Sequence, residues 1–113
     1  MSKIPQIDSF QRAWLRKQAH HLSPVVNVGV AGMSDAVEKA IDDALTHHEL
    51  IKVKFYELKD ERRDACEHAA QTLNAVVVSI IGNVGILYRP APESGKQTIH
   101  LPKRSSKDSA TEA

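Results

Sequence analysis

The 113-residue chain carries 15 Lys and Arg against 14 Asp and Glu, a formal net charge of +1, with 42% hydrophobic residues. That supports one buried core rather than two ordinary domains, and the balanced charge excludes a bulk polycation, so any nucleic-acid surface must be local. The single Cys66 excludes an intrachain disulfide framework and, with no leader-like apolar segment at the N-terminus, points to a reducing cytoplasm; the apolar runs are strand-sized, so no membrane span is expected.

Residues 1–7 form a polar lead containing Pro5. Asp8 and Gln11 have the spacing of a capping box, which opens a helix predicted to run to Leu22. Phe10, Trp14 and Leu22 lie along one side of it, and Leu15 and Ala19 broaden the apolar stripe. Arg12, Arg16 and Lys17 collect elsewhere on the same helix. Arg12 and Arg16, four apart, repel by a few tenths of a kcal/mol, roughly an ordinary i,i+4 effect, which a polyanion would relieve; a solvated face is the alternative. Ser23-Pro24 ends the helix, because the residue before proline is pushed out of the α region.

The stretch from Val25 to Ser34 then reads as a strand, a Gly29-Val30-Ala31-Gly32 loop and a helix start capped by Ser34. Unpaired N–H groups and the helix dipole suit that place to a phosphate. Val37, Ala40, Ile41, Ala44, Leu45 and His48 recur at helical spacing over about fourteen residues. Leu50 to Phe55 alternates, with Ile51, Val53 and Phe55 on one face and Lys52 and Lys54 on the other, so one face is buried and its opposite is basic.

Asp60 is the expected cap of a third helix whose buried side is Ala65, Cys66, Ala69, Ala70 and Leu73, with Asn74 as a left-handed terminator. Ala75 to Ile81 is a run dominated by β-branched residues, as expected of a central strand covered on both faces. Gly82-Asn83-Val84-Gly85 turns the chain into the antiparallel partner Ile86 to Arg89, stopped by Pro90. Lys96 to Leu101 is a candidate short edge strand, and residues 102–113 lack the apolar content to pack and read as a disordered tail. The expected fold is therefore α/β in the order α-β-α-β-α-β-β over residues 8–101. It is a two-layer sandwich with a four-stranded mixed sheet, its first three strands parallel through right-handed crossovers and its last antiparallel.

Little in the chain suits catalysis. Cys66 falls in an apolar helix stripe, where a thiol is ordinarily a small core residue. Asp42-Asp43 and Asp60-Glu61 fall on exposed helix surfaces. His20-His21 and His47-His48 are adjacent pairs, not the i,i+4 pairs that grip zinc, and their place at helix ends suits the negative end of the dipole. No enzyme activity, metal, cofactor or small-molecule substrate is expected. The Gly29 to Gly32 loop lacks the Gly-Lys-Ser/Thr of a P-loop and the third glycine of a dinucleotide site. A lone Gly-x-x-Gly is often only a turn, but KH domains use one between elements to clamp an RNA backbone.

Several stretches together resemble one family. Ala19-His20-His21-Leu22-Ser23-Pro24-Val25-Val26, the Gly29 to Gly32 loop, His48-Glu49-Leu50-Ile51-Lys52-Val53-Lys54, Ile80-Ile81-Gly82 and Leu87-Tyr88-Arg89-Pro90 resemble the CRM domain in its bacterial stand-alone YhbY-like form, over Phe10 to Leu101. The resemblance implies an RNA-binding domain similar in fold to the C-terminal domain of translation initiation factor three and associated with precursors of the large ribosomal subunit. Related plant domains act in group II intron splicing. Gly29, Gly32, Lys52, Lys54 and Arg89 match family motif positions. The chain departs from the pattern at Val30, Ala31 and Asn83, where relatives often place a basic or polar residue.

Two readings stand at this point. In one, the protein binds ribosomal RNA in large-subunit precursors and assembly particles: backbone amides from Gly29 through Val30, Ala31 and Gly32 to Ser34 hold a phosphate, and Arg12, Arg16, Lys17, Lys52, Lys54 and Arg89 supply charge. In the other, the loop is only a turn and the protein is an adaptor that docks on assembly factors without touching RNA. The near-neutral charge and the apolar loop support the second.

Overall fold

The computed structural model describes residues 6–29, 32–56, 61–92 and 94–102. Along the chain lie α1 (Ser9–Ala19), β1 (Val26–Val28), α2 (Asp35–His48), β2 (Leu50–Phe55), α3 (Arg62–Thr72), β3 (Val76–Ile81), β4 (Val84–Tyr88) and a 3₁₀ turn at Ser94–Lys96. Two helices start on the side-chain caps their sequences announce. Asp8 accepts from the Gln11 N–H at 2.7 Å while the Asp8 N–H donates to Gln11 Oε1 at 3.1 Å, the complete capping box. Ser34 accepts from the Val37 N–H at 3.3 Å. The α3 cap position is Glu61, which makes no side-chain cap bond, and the expected cap Asp60 lies outside the described residues. α1 stops at Ala19 rather than Leu22, because its last turn tightens: His20 N–H donates to Lys17 O and Leu22 N–H to Ala19 O, both three residues back.

The sheet order is β1-β2-β4-β3, with β1 parallel to β2 and β4 antiparallel to both neighbours. The α/β class, the mixed four-stranded sheet and the antiparallel last strand are thus as expected. The place of β3 is different: it is an edge strand, not a central one. Its crossover through α3 leaves a gap beside β2, and the tight Gly82-Asn83 hairpin, with Gly82 at φ +60°, folds β4 back into it. The β-branched run reflects coverage on both faces, since Val77 and Ile80 pack on one side of the sheet and Val76 and Val78 on the other.

The layer count also differs, being three rather than two. Ile51, Val53, Phe55 and Leu87 point to a core closed by α2 and α3, where Ile41, Leu45, Cys66 and Ala69 are buried. Leu50, Ile86, Tyr88 and Val78 point the opposite way, onto Leu15 and Ala19 of α1. Of the three α-helices, α1 alone lies on that face.

The candidate strand from Lys96 to Leu101 does not form. The Thr98 and Ile99 amides bond instead to Glu49, the residue that ends α2 at φ +62°. The buried Glu49 carboxylate accepts from Ala91 N–H (2.7 Å), Thr98 N–H (2.9 Å), Thr98 Oγ1 (2.7 Å) and Ile99 N–H (2.9 Å). Ile99 and Leu101 then pack on the α1 side, and Gln11 Nε2 donates to Pro102 O. Residues 103–113, the rest of the expected tail, lie outside the described residues.

Candidate nucleic-acid interface

The Gly29 to Gly32 loop begins where β1 ends, beside the end of β2, and Tyr56 N–H donates to Val28 O at 2.9 Å. Gly32 is buried at φ +75°, a conformation that favours glycine, and its N–H donates to Gly29 O at 3.0 Å. Ser34 N–H donates to Gly32 O at 3.0 Å. The loop thus satisfies two of its donors internally, the Gly32 and Ser34 amides; helix geometry gives the Asp35 and Ala36 amides of the first turn no partner within the helix. Asp35 and Glu38, both in that turn, already complement the dipole with negative charge. Val30 and Ala31 lie outside the described residues.

The six basic candidates divide by what their charges already hold. Arg12 reaches across β3, where its Nη1 donates to the carbonyls of Val77 and Val78 at the irregular step in the β3–β4 register. Arg89 is clamped between helix ends, donating to Asp42 Oδ1 (2.7 Å), Leu73 O (2.9 Å), Asp42 O (3.1 Å) and Thr46 Oγ1 (3.0 Å). Lys52 Nζ donates to Leu22 O at 2.9 Å, which ties β2 to the chain leaving α1. Arg16 and Lys17 are exposed, and Lys54 is half-exposed with its Nζ 5.1 Å from the centre of the Tyr56 ring.

Helix α1 and the sheet face beneath it bring part of this set together. Arg16, Lys17, His20 and Lys52 line one groove with Ile81 and Ile86. Lys54 follows Lys52 on the same face of β2, with Asn27 of β1 paired to it in register. Basic side chains therefore run from the outer side of α1 to the strand end next to Gly29. Arg89 stands apart, at the junction of α2 and α3. Trp14 is half-buried and packs on the α1-side core.

Burial lifts the Cys66 thiol to about 11, with the Arg63 charge pulling the other way, so a neutral thiol sits in the core. It packs so closely on β4 that a Cβ at Gly85 would meet its Sγ at 2.6 Å. Among the described residues, no three His, Cys, Asp or Glu side chains gather as a metal site, and no helix is long and apolar enough to cross a membrane.

Two residues escaped the sequence reading. Tyr56 is 60% exposed beside the loop, and the alternation of β2 carried one step further places it on the Lys54 face. Glu49 had no such signal, because its partners lie more than forty residues away.

Comparison with known proteins agrees with this architecture. The profile of the CRS1 / YhbY (CRM) domain matches residues 7–89. A Haemophilus influenzae protein named as an RNA-binding protein is 39% identical over 95 residues, covering 83% of this chain and 93% of its own. The probable RNA-binding protein YqeI of Bacillus subtilis is 36% identical over 93 residues, covering 81% and 95%. The solution structure of a hypothetical protein from Staphylococcus aureus superposes with a TM-score of 0.73 at 30% identity, covering 86% of this chain and 100% of that one. With the matched span running from ahead of α1 through β4, the chain belongs to the CRS1/YhbY (CRM) domain family.

Proposed function

We propose that the protein binds RNA without catalysing a reaction, and that its target is large-subunit ribosomal RNA within precursor particles in the cytoplasm. The observation that carries this reading is the basic run of Arg16, Lys17, Lys52 and Lys54 on the α1 side of the sheet, which ends beside the Gly29 loop. The relatives' RNA-binding names support RNA as the ligand, and the large-subunit target is what the CRM resemblance implies.

Charge bookkeeping divides the work. The loop offers the first-turn amides of α2, opposed by Asp35 and Glu38, so it positions a phosphate more than it attracts one. Attraction falls to Arg16, Lys17 and Lys54, with Lys52 adding its positive charge from its place under α1. Arg12 and Arg89, whose guanidinium groups are spent on carbonyls and Asp42, hold the scaffold.

Four cations facing a single strand give log K against log salt a slope of about −3. Titrating a labelled single-stranded ribosomal RNA fragment at several salt concentrations measures it, and a flat response rejects the reading. Sedimentation of lysate with and without RNase then addresses the target: co-migration with large-subunit precursors that RNase abolishes is expected. Co-migration that survives RNase, together with no RNA binding by the purified protein, favours the adaptor reading instead.

A further inference from the structure

Helix α1 does not cover its whole sheet face. It packs over Leu50, Val78, Ile86 and Tyr88, and the last cross-strand row beyond these stays open. That row is Asn27, Lys54, Val84 and Ile81, paired in register across β1, β2, β4 and β3. Four strands at about 4.8 Å make a strip about 14 Å long. Asn27 and Ile81 are exposed, Ile81 at 55%, and Val84 and Lys54 are half-exposed. Tyr56 stands just past Lys54, 60% exposed, with the Lys54 ammonium against its ring.

An exposed aromatic ring and an exposed isoleucine are costly to leave in water; Tyr56 adjoins Lys54 on β2, and Ile81 lies on the same row two strands away, beyond Val84. The row holds one cation and no anion. The Arg16, Lys17 and Lys52 groove opens along one side and shares Ile81, while Gly29 follows two residues after Asn27. An aromatic face beside a run of cations is the chemistry of a single-strand nucleic-acid platform, where bases stack and the backbone follows the charge. A duplex keeps its bases stacked on each other and has no use for such faces.

We propose that this strip is a base-stacking subsite for unpaired RNA: Tyr56 stacks one exposed base, Lys54 leaves the ring to meet a phosphate beside it, and Ile81 supports another base further along the strand. The proposal rests on the RNA-binding reading and adds to it the class of RNA, a single-stranded segment rather than a duplex.

The test compares Tyr56→Ala, Tyr56→Trp and Ile81→Ala with the parent chain. The probes are a labelled single-stranded oligonucleotide of about ten nucleotides, the same strand with its bases removed, and a duplex of equal length. Tyr56→Ala should weaken single-strand binding by about five- to a hundredfold, the range of one base–aromatic stack, and Tyr56→Trp should preserve it. The base-free strand should bind parent and Tyr56→Ala chains alike, and duplex binding should not change. A parent chain that binds the single strand with Tyr56→Ala unchanged overturns the subsite and leaves RNA binding standing. A parent chain that binds none of the three overturns both.

Discussion

Glu49 gathers three N–H groups and one hydroxyl onto a single buried carboxylate, and its own carbonyl accepts from Arg89 N–H at 2.8 Å. Burial alone would raise its pKa; the bonds from Ala91, Thr98 and Ile99 outweigh burial and hold it below the ordinary value of 4.5. A carboxyl lowered in the folded state stabilises fully above its unfolded value, and that stability is lost as pH falls through the folded one. Below about pH 4.5, therefore, unfolding stability should decline in the parent chain and decline less in Glu49→Gln. At neutral pH that variant should lose about 1–3 kcal/mol, the cost of leaving buried partners of a charged acceptor mismatched. Urea titrations of both chains at several pH values check this. Tyr88 feels the same charge: burial first, then Glu49, pushes its phenol up.

The elements that were legible in the sequence are those whose signals are local. The Asp8–Gln11 box, the Ser34 cap, the alternation of Leu50–Phe55 and the left-handed Asn74 each involve neighbours a few residues apart. The rank of β3 was not legible, because a β-branched run reports that both faces are covered and says nothing of who pairs at the edge. Nor was the fate of the Thr98 and Ile99 amides, which depends on Glu49. At the open edge Arg12 takes the place of a neighbouring strand, holding the Val77 and Val78 carbonyls. Charge and irregularity at an edge discourage pairing with other chains. Arg12→Ala should thus cost about 1–3 kcal/mol in a urea titration, from charge-assisted bonds to two carbonyls. It should also raise light scattering as concentration increases. Unchanged scattering alongside lost stability would limit Arg12 to a bonding role.

Across the whole molecule the sheet separates a closed side from a half-covered one, and the proposed function gives each side its own task. The α2–α3 side is closed: its core is apolar and Arg89 locks the helix ends over it. The α1 side is half-covered, and its open part carries Lys54, Tyr56 and Ile81 next to the Arg16–Lys17–Lys52 groove. Residue types could suggest six cations for RNA, but whether a charge is already spent is a tertiary fact, invisible until Asp42 is found 2.7 Å from Arg89. Stability and binding should therefore respond to different cations. Arg89→Ala removes a half-buried guanidinium with four acceptors and should lower unfolding stability by about 2–4 kcal/mol, because Asp42 and a carbonyl lose a charged partner. Its salt slope for RNA should stay near that of the parent. Lys17→Glu with Lys54→Glu should do the reverse: both side chains reach solvent, so the melting temperature should hold while the slope falls from about −3 to about −1.5. If Arg89→Ala flattens the slope while remaining folded, the two tasks are not divided by the sheet, and the RNA reaches around to the junction of α2 and α3.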